Sequence, residues 1–290
     1  MAARRLLRLD AELVRRGLAR SREQASELIS AGRVEVRGVA ATKAATAIDH
    51  DTPLRVLADE TDPSFASRGA YKLVGALRDF GIDAAGRRCL DAGASTGGFT
   101  DVLLRDGAAS VAAVDVGYGQ LAWALRTDER VTVYDRINVR TLTPEEIGGP
   151  ASLTVADLSF ISLRLVLAAL INCTEPDGDL VPMVKPQFEV GRERLGRGGV
   201  VRDPVLHSDA VFGVAEAAAA LGWGVAGVTR SSLPGPSGNV EFFLWLRRSA
   251  SIAGAAVDRA AIDEAVTRLQ PQPEQSVGTE SVSGAAVEDS

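Results

Sequence analysis

The fold of this chain can be recognised from RCLDAGASTGGFT, residues 88–100. This stretch begins as a short apolar strand, passes through a glycine-rich turn and ends in sequence that can open a helix. Gly93 permits the tight turn, while Gly97 and Gly98 let the backbone approach a ligand at the helix N-terminus. The stretch therefore predicts a strand–turn–helix unit that binds a nucleotide. The alternative is a glycine-rich turn without a ligand.

Strand and helix patterns alternate around this stretch. Apolar runs typical of strands lie at residues 88–91, 111–115, 131–134, 153–156, 180–184, 225–229 and 242–246. Such alternation predicts an α/β fold, a Rossmann-like, seven-stranded and mostly parallel sheet with helices on both faces. Only a Gly/Pro/Ser loop separates the last two runs, so we expect these two strands to be antiparallel.

A small basic α+β unit is predicted ahead of the sheet, over residues 1–60. Residues 1–43 contain nine arginines and one lysine against five acids, although the whole chain has a net charge of −6. A basic head on an acidic body indicates an anionic partner, and a helix pair surrounded by arginine is typical of RNA binding. A solvated helix face is the alternative. The candidate RNA-binding residues are Arg4, Arg15, Arg16, Arg20, Arg22, Arg33 and Arg37.

The remaining domain boundaries follow from composition. Residues 61–67 are polar, contain Pro63 and predict a linker, and the large α/β domain is expected over residues 68–250. Residues 251–290 predict one helix followed by a disordered acidic tail, because the last segment is rich in Pro, Ser, Gly and Glu.

Composition also excludes several classes of protein. The chain has two cysteines without a CxxC motif and only two histidines, so we expect neither a disulfide framework nor a metal site. The most apolar long stretch, residues 153–171, is interrupted by Asp157 and Arg164 and is a poor membrane span. No apolar signal core is present at the N-terminus, so a cytoplasmic location is expected.

The glycine-rich loop distinguishes between nucleotides. Asp115 follows the next strand about 20 residues later, where an acid accepts hydrogen bonds from a ribose. The loop is neither GxGxxG nor GxxxxGK[ST], which disfavours NAD and ATP hydrolysis. The form DxGxxxGG resembles the S-adenosylmethionine loop of class I methyltransferases. That resemblance gives the candidate cofactor residues Asp91, Gly93, Ala94, Ser95, Thr96, Gly97, Gly98, Phe99, Asp115, Asn138 and Asp157.

The scarcity of lysine in this chain suggests which residues are catalytic. Of 32 basic residues only three are lysine, so each surviving lysine is expected to have a chemical reason, because arginine cannot release its proton and lysine can. Lys72 precedes the first strand of the sheet and Lys185 follows the fifth. Asp157 follows the fourth strand and Glu241 opens the last. Each has an ordinary alternative as a cap or a surface charge, but together they form a candidate catalytic set.

The same four residues stand in the order of the K-D-K-E tetrad of FtsJ/RrmJ-like 2′-O-methyltransferases. The segments SRGAYKL, DAGASTGGFT, VDVGYGQL, ADLSFISL, VKPQFEVG and PGPSGNVEFFLWL resemble the TlyA family, called hemolysins, which act as ribosomal RNA 2′-O-methyltransferases. SREQASELISAGRVEV resembles the alpha-L RNA-binding domain shared with a small-subunit ribosomal protein and pseudouridine synthases. The resemblance covers about residues 5–248.

That resemblance implies S-adenosylmethionine as cofactor, S-adenosylhomocysteine as product and a cytidine in ribosomal RNA as target, within an assembled subunit. A ribose 2′-hydroxyl must lose its proton as it attacks the methyl group, and a lysine can accept that proton. No metal, membrane or obligate protein partner is expected. Competing hypotheses are a membrane-active hemolysin, a non-catalytic RNA-binding protein and a dinucleotide oxidoreductase.

Overall fold

A computed structural model describes residues 7–19, 22–57, 65–235, 238–249 and 258–269, without the side chains of residues 23, 24, 192 and 197. These residues form two compact units, one within 1–64 and the other within 65–290. Arg4, Arg20, most of the predicted linker and the predicted acidic tail lie outside the described residues.

The first unit is a helix pair packed on short strands. Its elements are β1 (Leu7–Arg8), α1 (Leu9–Arg15), α2 (Arg22–Ser30), β2 (Val34–Val36), β3 (Val39–Ala40), β4 (Ala47–Ile48) and β5 (Leu54–Val56). Leu9, Leu13, Ala25, Ile29 and Val34 are buried between helices and strands, because the helices place their apolar residues on one face. The predicted α+β unit is thus confirmed.

The second unit contains the large sheet. Its elements are α3 (Ala70–Phe80), β6 (Arg88–Ala92), α4 (Gly98–Arg105), β7 (Ser110–Asp115), α5 (Trp123–Arg126), β8 (Val131–Asp135), β9 (Ala151–Ala156), α6 (Leu167–Asn172), β10 (Thr174–Val184), α7 (Pro186–Glu189), α8 (Pro204–Ala220), β11 (Trp223–Arg230), β12 (Phe242–Arg248) and α9 (Arg259–Arg268). The strand order is β11-β12-β10-β9-β6-β7-β8. The strand β12 pairs antiparallel with both neighbours and the other pairs are parallel, which confirms the predicted mostly parallel, seven-stranded sheet.

The central strands are apolar on both faces because helices cover both sides of the sheet. Leu90 and Val114 pack in one core cluster, while Cys89 and Val111 pack in a second on the other face. This burial fixes the strand register, so the carboxyl ends of the parallel strands meet along one edge.

One strand differs from its prediction. The strand β10 begins at Thr174 instead of residue 180, with a register shift against β9 between Thr174 and Asp179. The sequence pattern predicts no strand over residues 174–179, which are polar. They join the sheet because the buried Thr174 hydroxyl bonds with that of Thr154 at 2.7 Å. In the part of the chain that is described, no helix is both long and apolar enough to span a bilayer.

Candidate active site

The turn between β6 and α4 lies against the end of β9. Gly93 has a φ of 88°, and its amide and that of Ala94 donate to the carbonyl oxygen of Val114, at 2.8 and 3.1 Å. A Cβ on Gly93 would stand 2.5 Å from the carbonyl oxygen of Asp157. Only glycine fits there, for conformation and for space. The turn is therefore in direct contact with the backbone of one candidate catalytic residue.

The other two glycines of the turn lie against protein side chains. A Cβ on Gly97 would collide with the side chains of Leu121 and Leu125, and one on Gly98 would collide with Ser67. Both glycines thus permit close packing of protein against protein, and the approach of their backbone to a ligand stays a prediction. Phe99 is likewise directed inward.

Phe99 was a candidate cofactor contact, but its side chain belongs to the core. It is 4% exposed, and its ring centroid lies 6.1 Å from that of Phe243. The side chain supports the start of α4 from below. Ala94 is also buried, whereas Ser95 and Thr96 are exposed at the tip of the turn.

Asp115 is held rigidly at the end of β7. Its Oδ2 accepts from the backbone amide of Ser95 at 2.8 Å, and its Oδ1 accepts from that of Gly117 at 2.6 Å. A carboxylate has about four acceptor sites, so it can still accept hydrogen bonds from a ligand. Asn138 is exposed beyond β8, and its side chain accepts from the amide of Arg140 at 3.0 Å, which caps a short 3-10 helix.

Asp91 lies beneath the turn and is fully buried. Its Oδ2 accepts from the hydroxyl of Thr100 at 2.7 Å, and its Oδ1 has no hydrogen-bond partner among the described residues. Burial raises the pKa of Asp91 to about 7, with a further increase from the negative charge of Asp157. This carboxyl group supports the turn from inside and does not reach its surface.

Lys185 and Asp157 form a close ion pair. Lys185 Nζ lies 2.6 Å from Asp157 Oδ1, and the lysine side chain is only 8% exposed. The same Nζ donates to the hydroxyl oxygen of Ser159 at 2.9 Å. Two protein groups therefore fix the position of this buried ammonium.

Lys72 and Glu241 form the second ion pair, with Nζ 2.6 Å from Oε2. The Glu241 side chain is fully buried, and its Oε1 has no hydrogen-bond partner in the described part of the chain. Gly235 contacts this carboxylate so closely that any side chain at that position would collide with it. The loop before β12 is thus shaped around the glutamate.

Strand register explains why the four residues converge. Val184 pairs with Phe242 across β10 and β12, so Lys185 and Glu241 leave the sheet at adjacent positions. Asp157 follows β9, the other neighbour of β10, and the helix α3 supplies Lys72. The sequence order predicted the members of this set, and the fold supplies their pairing.

Glu189 and Ser159 also take part in contacts between the loops of the site, and neither was among the candidate residues. Glu189 on α7 accepts from the hydroxyl of Ser162 at 2.6 Å and from the amide of Leu163 at 2.7 Å. This contact joins the VKPQFEVG segment to the ADLSFISL segment. Ser159 and Glu189 both lie inside those segments. The motifs therefore identify the region, whereas the individual contacts become visible only in the three-dimensional structure.

The candidate RNA-binding arginines differ in how they are used. Arg16 is structural: it is 22% exposed, lies 2.7 Å from a Glu12 carboxylate oxygen and donates to the carbonyl of Thr52 at 2.7 Å. Arg15 also binds Glu12, at 2.6 Å, but remains half-exposed. The hydrogen bond from Arg15 lowers the pKa of Glu12 to about 2, so this acid stays charged.

The remaining described arginines lie nearer to solvent. Arg22 pairs with the buried Asp10 at 2.9 Å. Arg37 lies 3.5 Å from Asp49 and is 65% exposed, whereas Arg33 is half-buried and donates to the carbonyl of Leu57. Arg15, Arg22 and Arg37 can therefore still reach a phosphate, and Arg16 is committed to the fold.

No cluster of three metal-ligating side chains occurs in the described part of the chain. The candidate site consists instead of two lysine–carboxylate pairs next to a rigid acid and a glycine turn. Such a site can bind a ribose-containing ligand and move a proton beside it.

Comparison with known proteins agrees with this geometry. The FtsJ-like methyltransferase family matches residues 65–248, and the S4 domain matches residues 7–52. The 16S/23S rRNA (cytidine-2'-O)-methyltransferase TlyA of Mycobacterium tuberculosis is 60% identical over 264 residues, which cover 91% of this chain and 97% of that protein. Hemolysin A of Brachyspira hyodysenteriae is 35% identical, over 81% of this chain and 98% of that protein.

A solved structure from Streptococcus thermophilus, of a protein named as a hemolysin, has the same architecture. It has a TM-score of 0.72 and 37% identity, and the match covers 92% of this chain and 96% of that one. These relatives extend through both units, which confirms the resemblance first seen in the motifs. The chain therefore belongs to the FtsJ-like methyltransferase family, within it to the TlyA group, and carries an S4 domain ahead of the methyltransferase domain.

Proposed function

We propose that this protein transfers a methyl group from S-adenosylmethionine to the 2′-hydroxyl of a cytidine ribose in ribosomal RNA, leaving S-adenosylhomocysteine. The observation that carries the proposal is the contact between Gly93 and Asp157. The glycine turn meets the backbone of Asp157, which pairs with Lys185, so the group that would bind the donor and the group that would handle a proton lie next to each other. Membership of the TlyA group supports the choice of substrate.

The residues around the turn fit S-adenosylmethionine. The Asp115 carboxylate is oriented by two backbone amides and retains acceptor sites for the ribose hydroxyls. Gly93, Ser95 and Thr96 would line the donor's other side, and Asn138 would lie near its adenine. When bound, the cofactor supplies a methyl group on a sulfonium, which needs no metal for transfer.

Lys185 would take the proton from the ribose hydroxyl. Its amine is buried beside Asp157, whose negative charge stabilises the ammonium that forms on proton transfer. Because water has little access to a side chain that is 8% exposed, this electrostatic interaction is stronger than it would be in solution.

Lys72 and Glu241 would supply charge and position. The buried Glu241 holds the Lys72 ammonium at 2.6 Å, so this lysine presents a fixed positive charge at the same edge of the sheet. A fixed cation stabilises the negative charge that develops on the attacking ribose oxygen. Neither residue needs to exchange a proton for this role.

The basic head would supply affinity for RNA. We assign residues 1–60 to RNA binding, 61–67 to a linker, 68–250 to methyl transfer and 251–290 to a C-terminal helix and tail. Arg15, Arg22 and Arg37 remain accessible for phosphate contacts, which would position the ribosomal substrate. An assembled ribosomal subunit as substrate and a cytoplasmic location belong to the same proposal.

The experiment is methyl transfer from radiolabelled S-adenosylmethionine to purified ribosomal subunits, followed by nuclease digestion and chromatography of the nucleosides. We expect the label in 2′-O-methylcytidine. Heat-denatured protein is the control for non-enzymatic methylation. Label in a base-methylated nucleoside, or no label in any subunit or free ribosomal RNA, would contradict the proposed function.

A further inference from the structure

Ser159 contacts the Lys185 amine from a second side. Its hydroxyl oxygen accepts from Nζ at 2.9 Å, while Asp157 Oδ1 lies 2.6 Å from the same nitrogen. Lys185 is buried, whereas Ser159 is exposed. The serine therefore stands on the open side of the ion pair, where a substrate would enter.

The contact with Ser159 matters because the lysine amine is tetrahedral, so the contact affects where the lone pair points. A tetrahedral lysine nitrogen has three directions besides its bond to carbon. When the amine is neutral, two of them carry hydrogens and the third carries the lone pair that accepts a proton. The hydrogen bond to Ser159 takes one hydrogen and leaves two arrangements for the other hydrogen and the lone pair. The negative charge of Asp157 Oδ1, 2.6 Å from Nζ, attracts the second hydrogen, which leaves one direction for the lone pair.

We propose that Ser159 is a positioning residue that orients the Lys185 lone pair toward the 2′-hydroxyl. The inference deepens the proposed function and rests on it. Ser159 acts through Lys185 and does not itself exchange the proton. The reaction then forms the bond from the ribose oxygen to the methyl carbon and breaks the carbon–sulfur bond, and the hydroxyl proton moves to Lys185 Nζ.

Loss of the hydroxyl should affect chemistry and leave the fold intact. Ser159 is exposed and outside the core, so Ser159→Ala leaves no cavity. We expect the single-turnover rate to fall about 10-fold, the effect of losing a hydrogen bond to a charged group, with unchanged affinity for S-adenosylmethionine and RNA. Ser159→Thr keeps the hydroxyl and should restore most of the rate.

A matched control lies in β9, the strand that precedes the Ser159 loop. The hydroxyl of Ser152 donates to the carbonyl of Arg88 at 3.2 Å, at the start of β9 and away from the lysine. Ser152→Ala removes the same atom from this strand serine and should leave the rate unchanged. If Ser159→Ala has the wild-type rate, or if Ser159→Thr is as slow as Ser159→Ala, the positioning role is wrong.

A second measurement needs no methyl transfer, because the chain has only three lysines, Lys43, Lys72 and Lys185. Protein labelled with carbon-13 in lysine should give three side-chain NMR signals, assigned by replacing each lysine with arginine. In Ser159→Ala the Lys185 amine loses its hydrogen-bond acceptor, so its signal should change position while that of the exposed Lys43 stays fixed.

Superimposable Lys185 signals in wild type and Ser159→Ala would overturn the inference even if the wild-type protein methylates RNA. Conversely, absence of methyl transfer by the wild type would contradict the proposed function, while the NMR signal would still report whether Ser159 contacts the lysine.

Discussion

Replacing Lys185 with arginine separates positive charge from proton transfer. The lysine amine lies 2.6 Å from Asp157 and 2.9 Å from Ser159, and a guanidinium has enough donors to keep both contacts. Arginine stays protonated at any pH at which the protein is folded. The variant therefore retains the ion pair and loses the acceptor for the 2′-hydroxyl proton.

The expected size of the effect follows from that loss. A positioned acid–base group contributes about 10²–10⁴-fold in rate. This range corresponds to about 3 to 5 kcal/mol of activation free energy, at about 1.4 kcal/mol for each factor of ten. Since the side chain is 8% exposed, water has little access to replace the missing base, and we expect Lys185→Arg to fall well inside the range.

The assay is single-turnover methyl transfer with saturating cofactor and RNA, so that binding defects do not contribute. Lys72→Arg should be milder, because its proposed role requires charge and position only. The exposed Lys43→Arg is the control for the substitution itself and should match the wild type. Calorimetry with S-adenosylmethionine checks that each variant still binds the cofactor.

Near-normal rates for Lys185→Arg would rule out Lys185 as the proton acceptor, because they would show that positive charge is sufficient at that position. Equal losses in Lys72→Arg and Lys185→Arg would also contradict it, since the two ion pairs would then have the same role. A rate that is low only because the cofactor no longer binds would show up in the calorimetry.

Three further predictions concern the cofactor, the RNA and pH. Asp115→Ala should weaken S-adenosylmethionine binding by at least about 1 kcal/mol in calorimetry, because a charged acceptor is lost; equal affinity would remove Asp115 from the site. Deleting residues 1–60 should abolish RNA methylation and leave cofactor binding intact, and full-length binding should weaken with added salt as phosphate contacts release counterions; undiminished RNA affinity of the truncated protein would contradict this. Burial raises the pKa of Asp91 from 3.8 to about 7, so unfolding releases a proton between these values and the free energy of unfolding falls as pH rises through that window. Denaturant titrations should show that Asp91→Asn loses less stability over the same window, and parallel curves would rule out the buried acid as the cause.

The sheet could be predicted from sequence because its strands are buried on both faces and are separated by helices. That arrangement produces apolar runs of strand length that are hard to mistake. Strand boundaries were less accessible where tertiary contacts override local pattern. The polar start of β10 joins the sheet through the contact between the Thr174 and Thr154 hydroxyls, and no local sequence pattern indicates this contact.

The candidate site shows a similar division. Lys72, Asp157, Lys185 and Glu241 could be selected from residue type and order, because each follows or precedes a strand at one edge of the sheet. Their arrangement as the pairs Lys185–Asp157 and Lys72–Glu241 could not be predicted, since it depends on the register of β9, β10 and β12.

The roles of some residues could not be predicted from sequence, and the reason is the same for each of them. Phe99 and Gly97 lie in the cofactor motif but serve the core, and Arg16 lies in a basic helix but binds Glu12 and Thr52. Motif position does not reveal which way a side chain points. Ser159 was missed for the converse reason, because a loop serine gains significance only from the atom beside it.

Mass mapping of 2′-O-methyl groups on ribosomal RNA, from cells with and without this protein, tests the proposed function in its natural setting. We expect at least one cytidine that carries a 2′-O-methyl group only when the protein is present. Supplying Lys185→Arg in place of the wild type should leave that cytidine unmodified or nearly so. Identical methylation maps in the presence and absence of the protein would contradict the proposed methyl transfer.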